Sequence, residues 1–249
     1  MLRVLAIGFP AIVMLAAFAL LRPRRIPDRP SGVPTHAPVP LAWHLAKEGT
    51  YVFLVLALTP LIAAAHHALL VAAGEASGGG YSHRLSDDWS IAFLVALFVA
   101  MLVSFWLTLR LLEARFGDRY ALLLDEPGLQ RGAPSLRRQI VGAPRVAAVV
   151  GLLSVVFVSA TFDNALVVRD GRWRYRPLFG AATEHGVEEV ACLYVRPNRG
   201  RRFLKLALDL RDGTEVFLWS ELDRREIAQA IAAFQAQAPR RIPVVGEGQ

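Results

Sequence analysis

Four stretches of this chain carry no formally charged side chain over lengths that match a bilayer: residues 4–21, 51–73, 90–109 and 146–162. A hydrocarbon core about 30 Å thick needs roughly 20 helical residues at about 1.5 Å each, and every backbone polar group inside it must be satisfied within the protein. The pattern therefore predicts four transmembrane helices, with the fourth span the shortest. The first span lies between Arg3 and the run RPRR that starts at Arg22. A cleaved signal peptide would end in small residues, so this span is expected to stay as an anchor. Pro60 falls midway along the second span and predicts a kink there.

Hydrophobic residues make up 54% of the chain although 20% are charged, so the apolar residues must be clustered. The formal net charge is +7, and Lys47 and Lys205 are the only lysines among many arginines. With the abundant alanine, that skew reads as the coding bias of a GC-rich bacterium. Basic residues beside apolar spans act as topological anchors next to anionic lipid. The single cysteine, Cys192, excludes an intrachain disulfide and a cysteine-based zinc site.

Charge in the connections orients the spans. Arg22, Arg24, Arg25, Arg29 and Lys47 lie in the first connection, and Arg110, Arg115, Arg119, Arg131, Arg137, Arg138 and Arg145 in the third. Both are expected in the cytoplasm. The second connection has only Arg84 against Glu75, Asp87 and Asp88, and its glycine run reads as a short external loop. Strict alternation then puts both termini outside, whereas Arg169, Arg172, Arg174 and Arg176 beyond the fourth span would suit the cytoplasm. The localisation expected is the bacterial inner (cytoplasmic) membrane, multi-pass, with the side of the C-terminal part left open.

The chain divides into an N-terminal anchor (1–21), a Pro/Arg-rich extended linker (22–50), a transmembrane hairpin (51–109), a basic loop (110–145), a fourth span (146–162), a sheet domain with a C-terminal helix (163–237) and a flexible tail (238–249). In the sheet domain, short alternating runs replace long apolar ones. NALVVR leads into Asp170-Gly171, a two-residue hairpin signal, and RWRYRPLF follows. Along that strand Arg172, Arg174 and Arg176 face one way and Trp173 and Tyr175 the other. VEEVACLYVR and RFLKLALDLR flank the turn PNRG, and Asp212-Gly213 leads into TEVFLW. Ser220 then opens a helix with a capping-box-like S-x-x-D, placing Ile227, Ile231 and Phe234 on one face.

The fold class expected is thus membrane α-helical plus a C-terminal α+β domain, a curved antiparallel sheet closed by a helix. On NALVVRDGRWRYRPLFG, the later VEEVACLYV and the final helix from Glu221, this arrangement resembles the bacterial pleckstrin-homology-like (bPH) membrane proteins. YALLLDEPGLQRG at residues 120–132 also looks like the opening strands of such a domain, although an apolar span follows it. The resemblance implies a non-enzymatic scaffold, or a partner- or lipid-binding role, rather than catalysis.

Two sets of side chains are candidates. Arg196, Arg199, Arg201, Arg202 and Lys205 around the PNRG turn, joined by Arg172, Arg174 and Arg176, could meet anionic head groups or a partner at about 1 kcal/mol per charge. A solvated face balanced by Glu188, Glu189, Asp209 and Asp212 is the plainer reading. His66 and His67 lie inside a span, where histidine can serve proton relay, metal or haem, and they support the alternative of a transport or redox accessory subunit. Adjacent helix positions diverge by about 100°, so the two do not form a ligand pair. No catalytic motif is present, no metal or cofactor is expected, and a membrane-bound hydrolase is only a remainder. Asp87-Asp88 reads as a solvated acidic pair. The expected partners are membrane lipids and a membrane protein. Nucleic acid is excluded, because the strand turns the aromatic side chains away from the arginines.

Overall fold

The computed structural model describes residues 1–21, 40–75, 80–85, 88–125, 135–178, 180–197, 204–222 and 224–246. Four helices are long and apolar enough to cross a membrane: α1 (Leu2–Leu21), α2 (Leu41–Glu75), α3 (Trp89–Phe116) and α5 (Leu136–Asp163). All four apolar stretches seen in the sequence are helical, and each helix runs past its stretch. Residues 41–50 of the expected linker belong to α2, whose helix also continues through Pro60. Much of the expected basic loop is helical as well: α3 extends to Phe116, a short α4 covers Tyr120–Asp125, and α5 begins at Leu136. The segment YALLL is therefore helix and not an opening strand, with Tyr120, Leu123 and Leu124 buried. Asp125 accepts two hydrogen bonds from Arg137, at 2.6 and 3.2 Å, which clamps α4 to the start of α5.

The chain forms two compact units, Met1–Leu70 with Asp88–Val158, and Val71–Asp87 with Ser159–Gln249. In the first, α1 packs on α3. Their buried residues include many small side chains, Ala6 and Ala17 beside Pro10 and Met14 on one and Ala92, Ala96, Ala100 and Ser104 beside Val99 on the other. Small residues allow close helix approach where water supplies no driving force. On α1, α2 and α5, Leu15, Phe53, Leu56, Leu61, Leu152 and Leu153 are each at least 60% accessible, an apolar surface of the kind that lipid would cover. Asp88 caps α3, its carboxylate accepting from the Ser90 amide at 2.7 Å.

The second unit holds two sheets. Strands β1 (Tyr81–Arg84), β2 (Ala165–Arg169), β3 (Arg172–Tyr175) and β4 (Thr183–Gly186) pair antiparallel in that order. In the other sheet, β5 (Val190–Pro197), β6 (Leu204–Leu210) and β7 (Glu215–Leu222) form an antiparallel meander, and β8 (Val244–Gly246) pairs parallel with β5. Helix α6 (Arg224–Gln237) buries Ile227, Ala230 and Phe234 against a core that includes Leu166, Trp173, Leu193, Leu208 and Leu218. Ile231 is only partly buried.

The β2–β3 turn is as the sequence implied. Asp170 and Gly171 both have positive φ, 52° and 70°, the geometry of a tight hairpin. Three expectations are corrected. Ser220 lies in β7, and the helix starts at Arg224, because the strand's backbone pairing with β6 continues to Leu222 opposite Leu204. Residues 238–246 are not a free tail: Ile242 is buried, its backbone is held by both ends of the Gln235 amide at 2.6 and 3.1 Å, and β8 follows. The second connection is not a simple loop, since it contributes β1. Tyr81 lies opposite Val168 and His83 opposite Leu166, so both share the inward face. Gly80 leads into β1 at φ +106°, where a Cβ would come within 2.9 Å of the Val168 carbonyl.

Ser82 and Val167 are direct cross-strand partners, with Cα separations in such pairs of about 4.5–5.5 Å, inside disulfide range. In a Cys192→Ser background, Ser82→Cys with Val167→Cys is expected to cross-link on mild oxidation; a pair that stays reduced in folded protein would refute the register. Trp173, wholly buried, should cost roughly 3–5 kcal/mol when changed to Ala, read as a fall in the urea midpoint.

Candidate functional site

The arginine stripe of β3 takes the predicted alternation: Arg172 and Arg174 are exposed and Trp173 and Tyr175 buried. Burial raises the Tyr175 phenol above its usual pKa. Trp173 stacks on His185 with centroids 5.3 Å apart and meets Phe234 edge-on at 6.3 Å. The surface is less uniformly basic than the sequence suggests. Arg172 pairs with Glu184 at 3.2 Å and Arg176 with Asp163 at 3.3 Å, while Arg174 forms no ion pair among the described residues. Exposed pairs like these stabilise by at most about 1 kcal/mol and lower the net charge a head group would meet.

In the other sheet Arg196 lies opposite Lys205 across β5 and β6. The Arg196 guanidinium also lies 5.4 Å from the Tyr194 ring centroid and 3.7 Å from Glu215. Arg199, Arg201 and Arg202 fall outside the described residues. The fold thus divides the described candidates between two sheets, Arg172 and Arg174 in one and Arg196 and Lys205 in the other.

Two acidic side chains near the β4–β5 connection are organised rather than merely solvated. Glu189 accepts from the Gly186 amide at 3.0 Å and meets His185 Nδ1 at 2.8 Å. The backbone donor first, and His185 second, hold its carboxyl below the ordinary value of 4.5. Asp212 turns the β6–β7 hairpin by accepting from the Thr214 amide at 2.8 Å, which lowers its pKa in the same way. Both serve local turns.

Sequence reading treated Arg84 as a loop charge, yet it is buried, 7% accessible. Its guanidinium lies 5.3 Å from the Phe162 ring centroid, and Nη1 donates to Ser82 Oγ at 3.1 Å. The next amide, Leu85, donates to the Asn164 carbonyl at 3.0 Å. These contacts fasten the end of β1 to the segment joining α5 and β2. The available signal was the alternation of Tyr81 and His83 with Ser82 and Arg84 after a glycine. Burial pushes the Tyr81 phenol up to about 12, reinforced by Glu226, so it remains neutral at physiological pH.

The histidine pair separates. His66 is fully buried and stacks on Phe9 at 5.4 Å, with Nε2 3.2 Å from the Ala6 carbonyl. A carbonyl only accepts, so Nε2 is the protonated nitrogen in that contact. His67 instead meets Trp89 edge-on at 5.2 Å. Among the described residues no group of three His, Cys, Asp or Glu side chains is placed to hold a metal. Both rings have neighbours that account for their positions by packing.

No protein-family model matches the chain, and no curated protein or solved structure matches it.

At pH 7 Glu189→Gln should lower stability, because it removes an ionised acceptor whose pKa is depressed on folding. That advantage of the native carboxylate is complete above its unfolded pKa and disappears as pH falls through the lower folded value. Urea midpoints of the two proteins should therefore converge in acid; a constant gap at every pH would exclude ionisation as the cause.

Proposed function

We propose that this chain is a four-pass inner-membrane protein that presents a non-catalytic, pleckstrin-homology-like recognition domain on the external side, to lipid head groups or a membrane partner. The observation that carries this reading is the pairing of β1 with β2. Strand β1 lies between α2 and α3, whereas β2 follows α5. Strands on opposite sides of a bilayer cannot hydrogen-bond. If α3 crosses, α5 must cross back, so the pairing supports a complete fourth span. It also supports a common side for the second connection and the C-terminal domain.

Charge supplies the direction. Arg115, Arg119, Arg138 and Arg145 lie in the third connection or its flanking helix ends, which favours the cytoplasm for that connection. Parity then favours the outside for the sheet domain. The arginines just beyond α5 do not argue against this: Arg169, Arg172 and Arg176 are engaged in ion pairs within the domain, and charge in folded domains orients spans poorly. Four strands in one sheet, a meander of three in the next and a closing helix support the pleckstrin-homology-like reading, but fold alone does not specify a ligand.

For a recognition surface, the exposed strand arginines Arg172 and Arg174 are the described candidates, and Arg199, Arg201 and Arg202, between β5 and β6 in the sequence, are the others. A C-terminal alkaline phosphatase fusion is expected to be active and a C-terminal green fluorescent protein fusion dark; the reverse result would overturn external placement. Co-sedimentation of the detergent-free soluble domain, built as residues 80–87 linked to 163–249, with phosphatidylglycerol vesicles should drop several-fold on Arg199→Glu, Arg201→Glu and Arg202→Glu together. Unchanged capture would remove that turn as a lipid contact and leave protein recognition.

A further inference from the structure

The described arginines outside the β3 stripe include three that line a common cleft. Arg211, at the end of β6, and Arg240 and Arg241, after α6, line an open polar cavity of about 270 Å³, floored in part by Val187 and Ile242. Glu188 is the one acidic side chain among the lining residues. None of the three arginines has an ion-pair partner among the described residues. Elsewhere in the domain Arg169, Arg172, Arg176 and Arg196 all do.

The backbone around this cleft is fixed from several directions. The Arg211 amide donates to the Glu189 carbonyl at 2.8 Å, tying the end of β6 to the β4–β5 connection. On the other wall, the Gln235 amide grips both backbone groups of Ile242. Leu193 donates to the Pro243 carbonyl at 2.9 Å, and β8 continues the pairing along β5. Arg240 and Arg241 are consequently carried on a strap whose next residue is anchored in the core. Two unlinked segments thus bring three like charges to one concavity, an arrangement that an anion would neutralise.

We propose that this cleft binds a phosphoryl group. Arginine presents a planar fork that suits tetrahedral oxyanions through paired hydrogen bonds. Three cations against Glu188 leave a net excess of two positive charges, which matches a phosphate dianion. The volume lies just below the usual range of about 300–1,000 Å³ for small-molecule pockets, so the cleft suits the phosphate itself and not an entire nucleotide cofactor. The same chemistry could be offered by a free phosphate or by a lipid head group. It does not depend on the side of the membrane on which the domain lies.

The test is titration calorimetry of the full chain in a neutral detergent, with inorganic phosphate and pyrophosphate as free ligands and dihexanoyl-phosphatidylglycerol against dihexanoyl-phosphatidylcholine as the lipid pair. Binding should weaken by about tenfold or more in Arg240→Ser/Arg241→Ser and again in Arg211→Ser, and should fall with added salt. Arg224→Ser/Arg225→Ser, at the exposed start of α6 and outside the cleft lining, should leave it unchanged. These positions are exposed, and an unaltered circular dichroism melt establishes that the variants are folded. Binding of the free anions assigns the site to free phosphate, while preference for phosphatidylglycerol alone assigns it to head groups. Binding of neither, or equal loss in Arg224→Ser/Arg225→Ser, overturns the proposal.

Discussion

A backbone ladder of four residue pairs, Tyr81 to Arg84 against Ala165 to Val168, constrains this molecule more than any other interaction. It joins chain positions separated by two long apolar helices and brings the second connection into the C-terminal sheet. Each ladder bond is worth only about 0.5–1.5 kcal/mol net, yet its geometric consequence is categorical. A strand between α2 and α3 must be on the same side of a bilayer as the strand that follows α5.

The ladder also decides what counts as the domain. Without residues 80–85, β2 would be an edge strand with unpaired amides and carbonyls, and the core would lose Tyr81, which packs against it. The burial of Arg84 beside Phe162 and the entry at Gly80 serve the same junction. Around it the rest of the sheet domain follows ordinary rules: aromatic residues inward on β3, charged residues outward, and a helix closing the core. On the surface that results, Arg169, Arg172, Arg176 and Arg196 are paired with carboxylates, while Arg174 and the arginines of the cleft formed by the strap after α6 have no ion-pair partner among the described residues.

Long uninterrupted apolar runs made the spans legible, because desolvating a charge within a helix is too costly to be hidden by local context. Asp170-Gly171 was legible for a different reason, since few residue pairs accept two successive positive φ values. Helix and strand ends were less so. The β7 strand absorbed Ser220 despite its capping pattern, and α2 took in residues assigned to the linker, both because packing outweighs local end signals. Of the candidate site, the alternation of Arg172 and Arg174 with Trp173 and Tyr175 could be read directly. The partners Glu184, Asp163 and Glu215 could not, since they arrive from other elements.

By itself the sequence determined four helices suited to a membrane, the basic bias of their first and third connections, and a strand-rich C-terminal domain with a two-faced β3. These properties are written in local composition and periodicity. Only tertiary structure decided that YSHR is a strand of that domain, that His66 and His67 turn to different neighbours, and that Arg211 shares a cleft with Arg240 and Arg241. Each of those depends on which distant segments meet, and a four-residue strand or an isolated arginine carries too little local preference to announce its partner.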